Sequence, residues 1–196
     1  QNADRLARIA EEVLDIARVQ HQISHAPAST LQLDETVAQI WRDWQAQDPV
    51  QRRAVVMLDT QATQVEFDGE HLRRVLVNLL DNALRYMGPE PDSLCVATRT
   101  TPAGQVSLQV WSDGAPMDKS VERHLFEPFF SSESRSSGLG LYICRELCQR
   151  HGASISYQRT HRTTARGNTG GNAFTVAFRR TTRPQEAATL FDSIVI

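Results

Sequence analysis

The stretch that decides the fold is NLLDNALRY, residues 78–86, in which two asparagines interrupt a long apolar run one helical turn apart. Because successive residues of a helix turn by about 100°, the apolar residues fall on one arc, and Asn78 and Asn82 fall with Arg85 and Tyr86 on another. A buried amide without a partner costs about 1 to 3 kcal/mol. The two amides therefore either cap backbone groups within the core or face a polar ligand, and an amide oxygen suits a hard cation such as Mg²⁺.

Helix and strand patterns surround this stretch. Asp34 and Asp68 are each placed to cap a helix, and the second of these helices stops at Gly88. Period-two patterns predict strands at 54–59 and 63–67, a hairpin of 93–100 with 105–112, and a second hairpin whose strands, 154–160 and 173–180, are joined by a long Gly/Thr-rich loop. A further helix is predicted at 139–150, after an irregular region over 114–137. These elements predict an α+β fold in two layers, one mixed sheet covered on one face by helices.

The amino-terminal segment follows a different pattern. Residues 1–24 carry apolar side chains spaced three and four apart, which predicts a helix that packs on another helix, at Leu6, Ile9, Val13, Ile16 and Ile23. One such helix cannot bury its own stripe, so we expect its partner outside this chain or in a second copy. The pattern is already under way at Gln1, and we expect the chain to be part of a longer protein. We divide it into this helix, a linker at 25–30, a main domain at 31–180 and a tail at 181–196.

Composition narrows the class of protein. With 196 residues, 40% hydrophobic, 22% charged and a net charge of −2, the chain is typical of globular proteins. It has no basic stripe with interleaved aromatics, so nucleic acid is not expected as a partner. No apolar stretch is long enough to span a bilayer, and this part is expected to make no membrane contact. Three cysteines, Cys95, Cys144 and Cys148, show no disulfide framework and no zinc-ligand spacing. This odd count indicates a reducing compartment, and we interpret the three as small core residues.

Two further segments bear on the ligand. In WSDGAPM (111–117), Asp113 follows a predicted strand, where its carboxylate can accept a hydrogen bond from an amino group. In SSGLGLYI (136–143), Gly138 and Gly140 stand where a loop enters a helix. Glycines let the backbone approach a ligand closely, and a helix amino terminus offers free N–H groups to phosphate. An amide pair, a strand-end acid and a glycine-rich helix entry, in this order, favour a site for a phosphate-bearing ligand.

In this order the motifs resemble those of the catalytic and ATP-binding domain of bacterial sensor histidine kinases, within the superfamily that also includes gyrase, chaperone and mismatch-repair ATPases. NLLDNALRY is similar to the N box of that family, and LFEPFF (125–130) is similar to its F box. SSGLGLYI is similar to its second glycine box and GGNAFTV (170–176) to its closing Gly-Gly segment. The residues of these motifs are most similar to those of nitrogen-regulator and pilus-regulator type sensors. Residues 1–24 resemble the second helix of the dimerisation and phosphotransfer hairpin.

The resemblance implies that the cofactors are ATP and Mg²⁺. Asn82 would be the metal ligand, and Asn78 would line the triphosphate as a catalytic residue. Arg85 would contact phosphate, Tyr86 would lie along the base or ribose, and Asp113 would bind the adenine amino group.

The resemblance also implies a mobile lid over residues 115–137, anchored by phenylalanines that include Phe126. Arg135 is the lid's candidate for neutralising the γ-phosphate and the second catalytic residue. Backbone amides at the helix entry would cradle phosphate. The remaining nucleotide-binding positions are Gly114, Gly138, Leu139, Gly140 and Leu141.

The implied reaction is transfer of the γ-phosphoryl group to a histidine upstream of Gln1. Superfamily members that hydrolyse ATP carry a glutamate at the position of Asn78 as general base; an amide is consistent instead with transfer to an imidazole, which needs no deprotonation before it attacks. The implied partners are the protein's own phosphotransfer hairpin, whose first helix is missing here, and a response-regulator receiver domain. The full-length protein would be a homodimer and this part its cytoplasmic portion, with an inner-membrane anchor left open. His21 and His25 are interpreted as linker histidines.

One box departs from the family's pattern. The family usually has Asp-x-Gly-x-Gly, whereas DGAPM is one residue short and has Pro116 where the second glycine falls. Proline removes a backbone donor and fixes φ, which would stiffen or shift the lid hinge. The alternative function is therefore a kinase-like scaffold or sensor module that binds nucleotide weakly or not at all.

Overall fold

A computed structural model describes residues 2–23, 29–47, 54–61, 63–130 and 138–179. The helices are α1 Asn2–Ile23, α2 Leu33–Gln45, α3 Gly69–Tyr86, α4 Lys119–Arg123 and α5 Gly140–Arg150. The strands are β1 Thr30–Gln32, β2 Ala54–Met57, β3 Gln64–Glu66, β4 Leu94–Thr100, β5 Val106–Ser112, β6 Ser154–Thr164 and β7 Gly167–Phe178. Within these ranges no helix is both long and apolar enough to cross a bilayer.

The main sheet has five strands in the order β2-β4-β5-β7-β6. It is mixed, because β2 and β4 run parallel while the remaining neighbours are antiparallel. In its centre Val96 lies opposite Val110, which lies opposite Phe174. A separate pair, β1 with β3, joins Thr30 to Glu66, so a residue from the end of the predicted linker is part of a strand. The predicted α+β class with one mixed sheet is confirmed.

The two faces of the sheet differ in what covers them. On the front face Val96, Val110 and Phe174 belong to the main core, together with the apolar residues of α2, α3 and α5. On the back face the alternate residues form a small second cluster of Cys95, Ala97, Trp111 and Ala173. Since side chains alternate along a strand, these clusters tell which way each neighbouring residue points.

Helix α3 forms as its sequence predicts. The Asp68 side chain accepts a hydrogen bond from the His71 backbone N–H at 2.9 Å, which caps the first turn. The helix ends at Tyr86, shortly before Gly88. Its apolar arc is buried, at Leu72, Val75, Leu76, Leu79, Leu80 and Ala83, and Asn78 and Asn82 on the other arc are half-buried.

Helix α2 begins two residues earlier than the sequence suggested. Gln32, not Asp34, is its N-cap, and the Gln32 Oε1 accepts from the Glu35 backbone N–H at 2.6 Å. The Asp34 carboxylate instead accepts from the Thr60 and Thr98 hydroxyls, at 2.7 and 2.6 Å. The cap prediction was wrong because a carboxylate in the first turn found partners distant in sequence.

The second hairpin also differs from its prediction. In place of a long loop, β6 and β7 stay paired up to Thr164 opposite Gly167. A Cβ at Gly171 would overlap the Trp111 ring and the Ser112 carbonyl oxygen, so the glycine allows β7 to pass there. The far end of the hairpin lies over the back face, with the Arg162 guanidinium 5.8 Å from the Trp111 ring centroid.

Some apolar residues of helix α1 pack against the rest of the chain, and others are exposed. Ile9 and Ile16 are half-buried and Ile16 packs against the main core, whereas Leu6 and Val13 are 67% and 44% exposed. Three predicted segments lie wholly or partly outside the described residues: most of the linker, residues 131–137 of the lid with Arg135, and the tail at 181–196. Helix α4 lies within the region that was predicted to be irregular.

Candidate functional site

A cavity of about 770 Å³ lies between α3, the first turn of α5, the start of the lid segment and α1. Its volume is in the range of pockets for small molecules and cofactors. Eight of the predicted site residues line it: Asn78, Asn82, Arg85, Tyr86, Gly138, Leu139, Gly140 and Leu141. The structure thus brings together two segments that are more than fifty residues apart in the chain.

The α3 side of the cavity carries the asparagine arc. Asn78 Nδ2 lies 3.5 Å from the Gly140 carbonyl oxygen, a long contact that joins α3 to the start of α5. Asn82 is half-buried one turn later, and Arg85 and Tyr86 are exposed at the carboxyl end of the helix. Both amides thus line the cavity, and Asn78 also contacts the backbone of α5.

The α5 side is shaped by glycine. Gly138 has φ +72°, and a Cβ there would come within 2.5 Å of the Phe130 carbonyl oxygen. Leu139 is the N-cap of α5 and offers no side-chain hydrogen bond to the first turn. The first-turn N–H groups of a helix have no partner within the helix, so they suit an anion in the cavity, where the helix dipole also favours negative charge.

The structure does not bring Asp113 to this cavity. Its carboxylate accepts hydrogen bonds from Gly88 N at 2.7 Å, the Ser93 hydroxyl at 2.8 Å and Arg166 Nη2 at 2.6 Å. Its side chain is 2% exposed. Burial alone would raise the pKa of Asp113, but the hydrogen bonds from Gly88, Ser93 and Arg166 together hold that pKa below its ordinary value. The acid is charged, and both of its oxygens already accept hydrogen bonds.

Asn172, a residue that the sequence reasoning did not single out, does line the cavity. Its Nδ2 donates to the Ala115 carbonyl oxygen at 2.9 Å, and its Oδ1 accepts from the Tyr157 hydroxyl at 2.7 Å. Arg159 Nη1 donates to the Gly114 carbonyl oxygen at 2.6 Å. Together these bonds fix the first residues of the lid segment to the sheet. The available signal was a polar residue directly after the two glycines of the closing Gly-Gly segment, two positions before Phe174.

Two other predicted positions lie beside the cavity rather than in its wall. Gly114 is buried, and a Cβ there would lie 3.0 Å from the Tyr86 carbonyl oxygen and 3.2 Å from Asn172 Nδ2. Phe126 packs edge-on against Phe174, with ring centroids 6.3 Å apart. This contact ties the lid segment to the front face of the sheet.

Helix α1 contributes two acids that the sequence reasoning also missed. Glu12 and Asp15 line the cavity together with Asn78 and Asn82. Asp15 pairs with Arg74 at 3.3 Å, whereas the buried Glu12 Oε2 has no hydrogen-bond partner among the residues that the structure describes. Since Arg74 offsets the charge of Asp15, Glu12 is the acid that adds negative charge to the α1 side of the cavity.

The donor set fits Mg²⁺ held mainly by a ligand's own oxygens. Over the described ranges no group of three His, Cys, Asp or Glu side chains could hold a metal by itself. Asn82 offers one neutral oxygen to the cavity. Mg²⁺ commonly binds through one or two protein ligands, several waters and substrate phosphates, so an amide beside a phosphate-binding helix entry suits it.

Comparison with known proteins agrees with this geometry. Residues 67–182 match the family described as histidine kinase-, DNA gyrase B- and HSP90-like ATPases, which is more than half of the 196-residue chain. The chain belongs to this family. The match to this ATPase family includes α3, the second hairpin and all of the cavity lining except the two acids of α1. It confirms the family expected from the N box and the glycine-rich entry.

Curated relatives of this ATPase-family domain are sensor kinases. The chain is 34% identical to the sensor protein kinase PilS of Pseudomonas aeruginosa over 118 residues, which are 59% of this chain and 21% of that protein. It is 28% identical to the sensor histidine kinase ZraS of Klebsiella oxytoca over 157 residues, 79% of this chain and 33% of that protein. The chain therefore spans about a fifth to a third of these relatives.

Solved structures show the same fold. The catalytic domain of the histidine kinase ThkA superposes with a TM-score of 0.64 at 22% identity, covering 80% of this chain and 97% of that one. Full-length ShkA in complex with AMPPNP gives a TM-score of 0.63 at 18% identity, with 95% of this chain and 39% of that one covered. Domains of this ATPase family in kinases bind ATP, normally with Mg²⁺.

Proposed function

We propose that this chain is the nucleotide-binding part of an ATP-dependent protein-histidine kinase in a two-component sensor. It would bind Mg-ATP and transfer the γ-phosphoryl group to a histidine located outside residues 1–196. The observation that carries the proposal is the shared cavity wall formed by Asn78 and Asn82 from α3 and by Gly138 and Gly140 at the entry of α5.

Each wall would act on one part of the nucleotide. The uncapped first turn of α5 would hold phosphate through its N–H groups. The Asn82 oxygen would hold Mg²⁺, which when bound neutralises phosphate charge. Arg85 would add a positive charge at the cavity mouth, and Tyr86 would offer its ring to the base or ribose. Arg135, outside the described residues, keeps its proposed role at the γ-phosphate.

Asn78 favours transfer to histidine over hydrolysis. A carboxamide cannot take a proton from water as a glutamate can, so water in the cavity would be poorly activated. A neutral imidazole needs no such base, because its nitrogen already carries a lone pair. Catalysis would then depend on positioning and charge neutralisation.

The remaining parts of the proposal concern the longer protein. Helix α1 would be the second helix of the phosphotransfer hairpin, with the exposed Leu6 and Val13 facing the missing first helix. A homodimer would assemble through that hairpin, and a receiver-domain aspartate of a response regulator would take the phosphoryl group. Residues 31–180 would be the catalytic domain, in the cytoplasmic portion of the sensor.

Calorimetric titration of the chain with AMPPNP and Mg²⁺ tests the binding step. We expect binding to the wild type and loss of at least about tenfold in affinity for Asn82→Ala, because one metal–oxygen contact is removed. Asn168→Ala, an exposed asparagine in the second hairpin, is the matched control. A chain that binds no nucleotide would support the scaffold alternative, and steady phosphate release from ATP would support hydrolysis.

The transfer step has its own test. Incubated with ATP, the isolated chain should form no phosphohistidine, although His21 is exposed. A longer protein with the upstream segment should form phosphohistidine, and Asn82→Ala in that protein should abolish it. Phosphohistidine on the isolated chain would show that the acceptor lies within residues 1–196.

A further inference from the structure

A row of polar residues ends the front face of the sheet beside the cavity. Ser112 lies opposite Asn172, and Asn172 lies opposite Arg159. Val110 and Phe174, each two residues away on the same strands, belong to the front core. By the alternation of a strand, Ser112 and Asn172 also point to the front.

By the same alternation, the Asp113 side chain points to the back face of the sheet. Trp111, two residues before it, is in the back cluster, and its ring lies under Arg162 of the second hairpin. Arg166, from the turn of the same hairpin, is one of the three residues that donate to the Asp113 carboxylate. A base in the cavity would therefore meet the Ser112 and Asn172 side of the sheet, not the acid.

The cavity also has two distinct ends. The glycine-rich entry of α5 and Asn82 lie at the phosphate end in the proposed function, while Tyr86, Ala115 and Asn172 form the wall next to the sheet. Ser112 is the cross-strand neighbour of Asn172 and is 5% exposed. Counting back from Pro116, at the second glycine of an Asp-x-Gly-x-Gly frame, the first position of that frame is also Ser112.

We propose that Ser112 and Asn172, not Asp113, select the nucleotide base, and that the site therefore discriminates weakly between purines with a 6-amino and a 6-keto group. This inference rests on the proposed nucleotide-binding function. A carboxylate only accepts hydrogen bonds and so selects an amino group, whereas a hydroxyl both donates and accepts. The Asn172 oxygen already accepts from Tyr157 and Arg159, and one of its N–H groups donates to Ala115. Among the described contacts its second N–H is left to donate. The Ser112 hydroxyl can therefore satisfy either purine edge, and Asn172 can add one donor.

The contacts of Asp113 oppose its use as a base reader. To reach the cavity, its carboxylate would have to give up the hydrogen bonds from Gly88, Ser93 and Arg166. Three hydrogen bonds to a charged group would be lost, and one hydrogen bond to a base would not replace their stabilising free energy. Ser112 and Asn172 already lie on the front side of their strands, and Asn172 can donate its second N–H while it keeps its bonds to Ala115 and Tyr157.

Titration of the chain with the Mg²⁺ complexes of AMPPNP and GMPPNP tests the inference. The wild type should bind the two within about threefold of each other, the effect of less than one net hydrogen bond. Ser112→Asp should shift the ratio of the two dissociation constants toward the adenine nucleotide by about tenfold, because it introduces an acceptor-only group. Ser107→Asp, the same change at the other end of β5, should leave the ratio unchanged. Asn172→Asp gives a second, nearly isosteric acid should Ser112→Asp fail to fold.

Asp113→Asn provides the opposing test. It should leave the ratio unchanged even where thermal melting shows a loss of stability. A selective loss of adenine nucleotide binding in Asp113→Asn, or a wild-type preference for AMPPNP above about a hundredfold, would overturn the inference while leaving the proposed function intact. Failure of the wild type to bind either nucleotide would overturn both.

Discussion

The Asp113 carboxylate and the Arg166 guanidinium, 53 residues apart in the chain, are joined by an ion pair of 2.6 Å that ties the turn of the second hairpin to the end of β5. The Arg166 guanidinium also approaches Asp92 at 3.7 Å, and the Ala165 backbone N–H donates to Asp92 Oδ2 at 2.7 Å. The pair therefore anchors the hairpin where it lies over the back of the sheet.

Removing the acid of this pair should destabilise the fold. We expect Asp113→Ala to lower the free energy of unfolding by about 2 to 3 kcal/mol, because a buried carboxylate with three donors is lost. Urea denaturation would measure this. Arg166→Ala should cost less, since Gly88 and Ser93 still bind the carboxylate. An equal or larger loss for Arg166→Ala would contradict this ranking.

A histidine pair should make stability depend on pH. His71 Nδ1 lies 2.8 Å from His151 Nε2, and the His151 ring packs at 4.4 Å from the Phe67 ring centroid. Burial, followed by the charge of His71, lowers the pKa of His151. The folded state therefore binds fewer protons than the unfolded state near and below the ordinary histidine pKa of about 6.5. Stability should fall as the pH is lowered from about 7.5 to 5.5.

The variant His151→Asn identifies the source of that slope. In urea denaturation at several pH values, it should flatten the dependence of unfolding free energy on pH, whatever it costs in stability at pH 7.5. His161→Asn, an exposed histidine on β6, is the control and should keep the wild-type slope. A slope that survives in His151→Asn would assign the effect to other groups.

The cysteines should react slowly in the folded chain. Cys95, Cys144 and Cys148 are buried, and burial raises the pKa of all three thiols, that of Cys144 to about 12. Because the thiolate is the reactive form, a disulfide reagent at pH 8 should label the native chain only as it opens. The same reagent in denaturant should label all three at once. Fast labelling of the native chain would contradict the packing around α5.

The acids of α1 should weaken the binding of a triphosphate. Glu12 lines the cavity and its Oε2 lacks a hydrogen-bond partner within the described ranges. We expect Glu12→Gln to raise the affinity for Mg-AMPPNP by about threefold at low salt, and less at high salt, because a negative charge near the phosphates is removed. Glu11→Gln, the exposed neighbour, removes the same charge away from the cavity and should have little effect. Equal effects of the two variants would mean that only net charge matters.

Local sequence patterns determined much of the architecture. The spacing of leucines and asparagines in residues 72–86 fixed which arc of α3 is buried and which lines the cavity, because a helix repeats every 3.6 residues whatever surrounds it. Asp68 capped that helix as predicted, and Gly138 supplied the positive φ that the entry of α5 requires. Such features depend on residues only a few positions away, so they can be predicted from the sequence.

Tertiary structure alone decided which side chains reach the cavity and which distant residues contact each other. The sequence at the end of a strand does not show which face of the sheet each residue points to. In the structure, the neighbours Asp113 and Ser112 point to opposite faces, Asp113 to the back and Ser112 to the front. The carboxylate of Asp15 reached Arg74 across 59 residues, and Asn172 met Ala115 across 57. These contacts exist only once distant segments are packed together, because the energy of a hydrogen bond or ion pair depends on a geometry that no local pattern specifies.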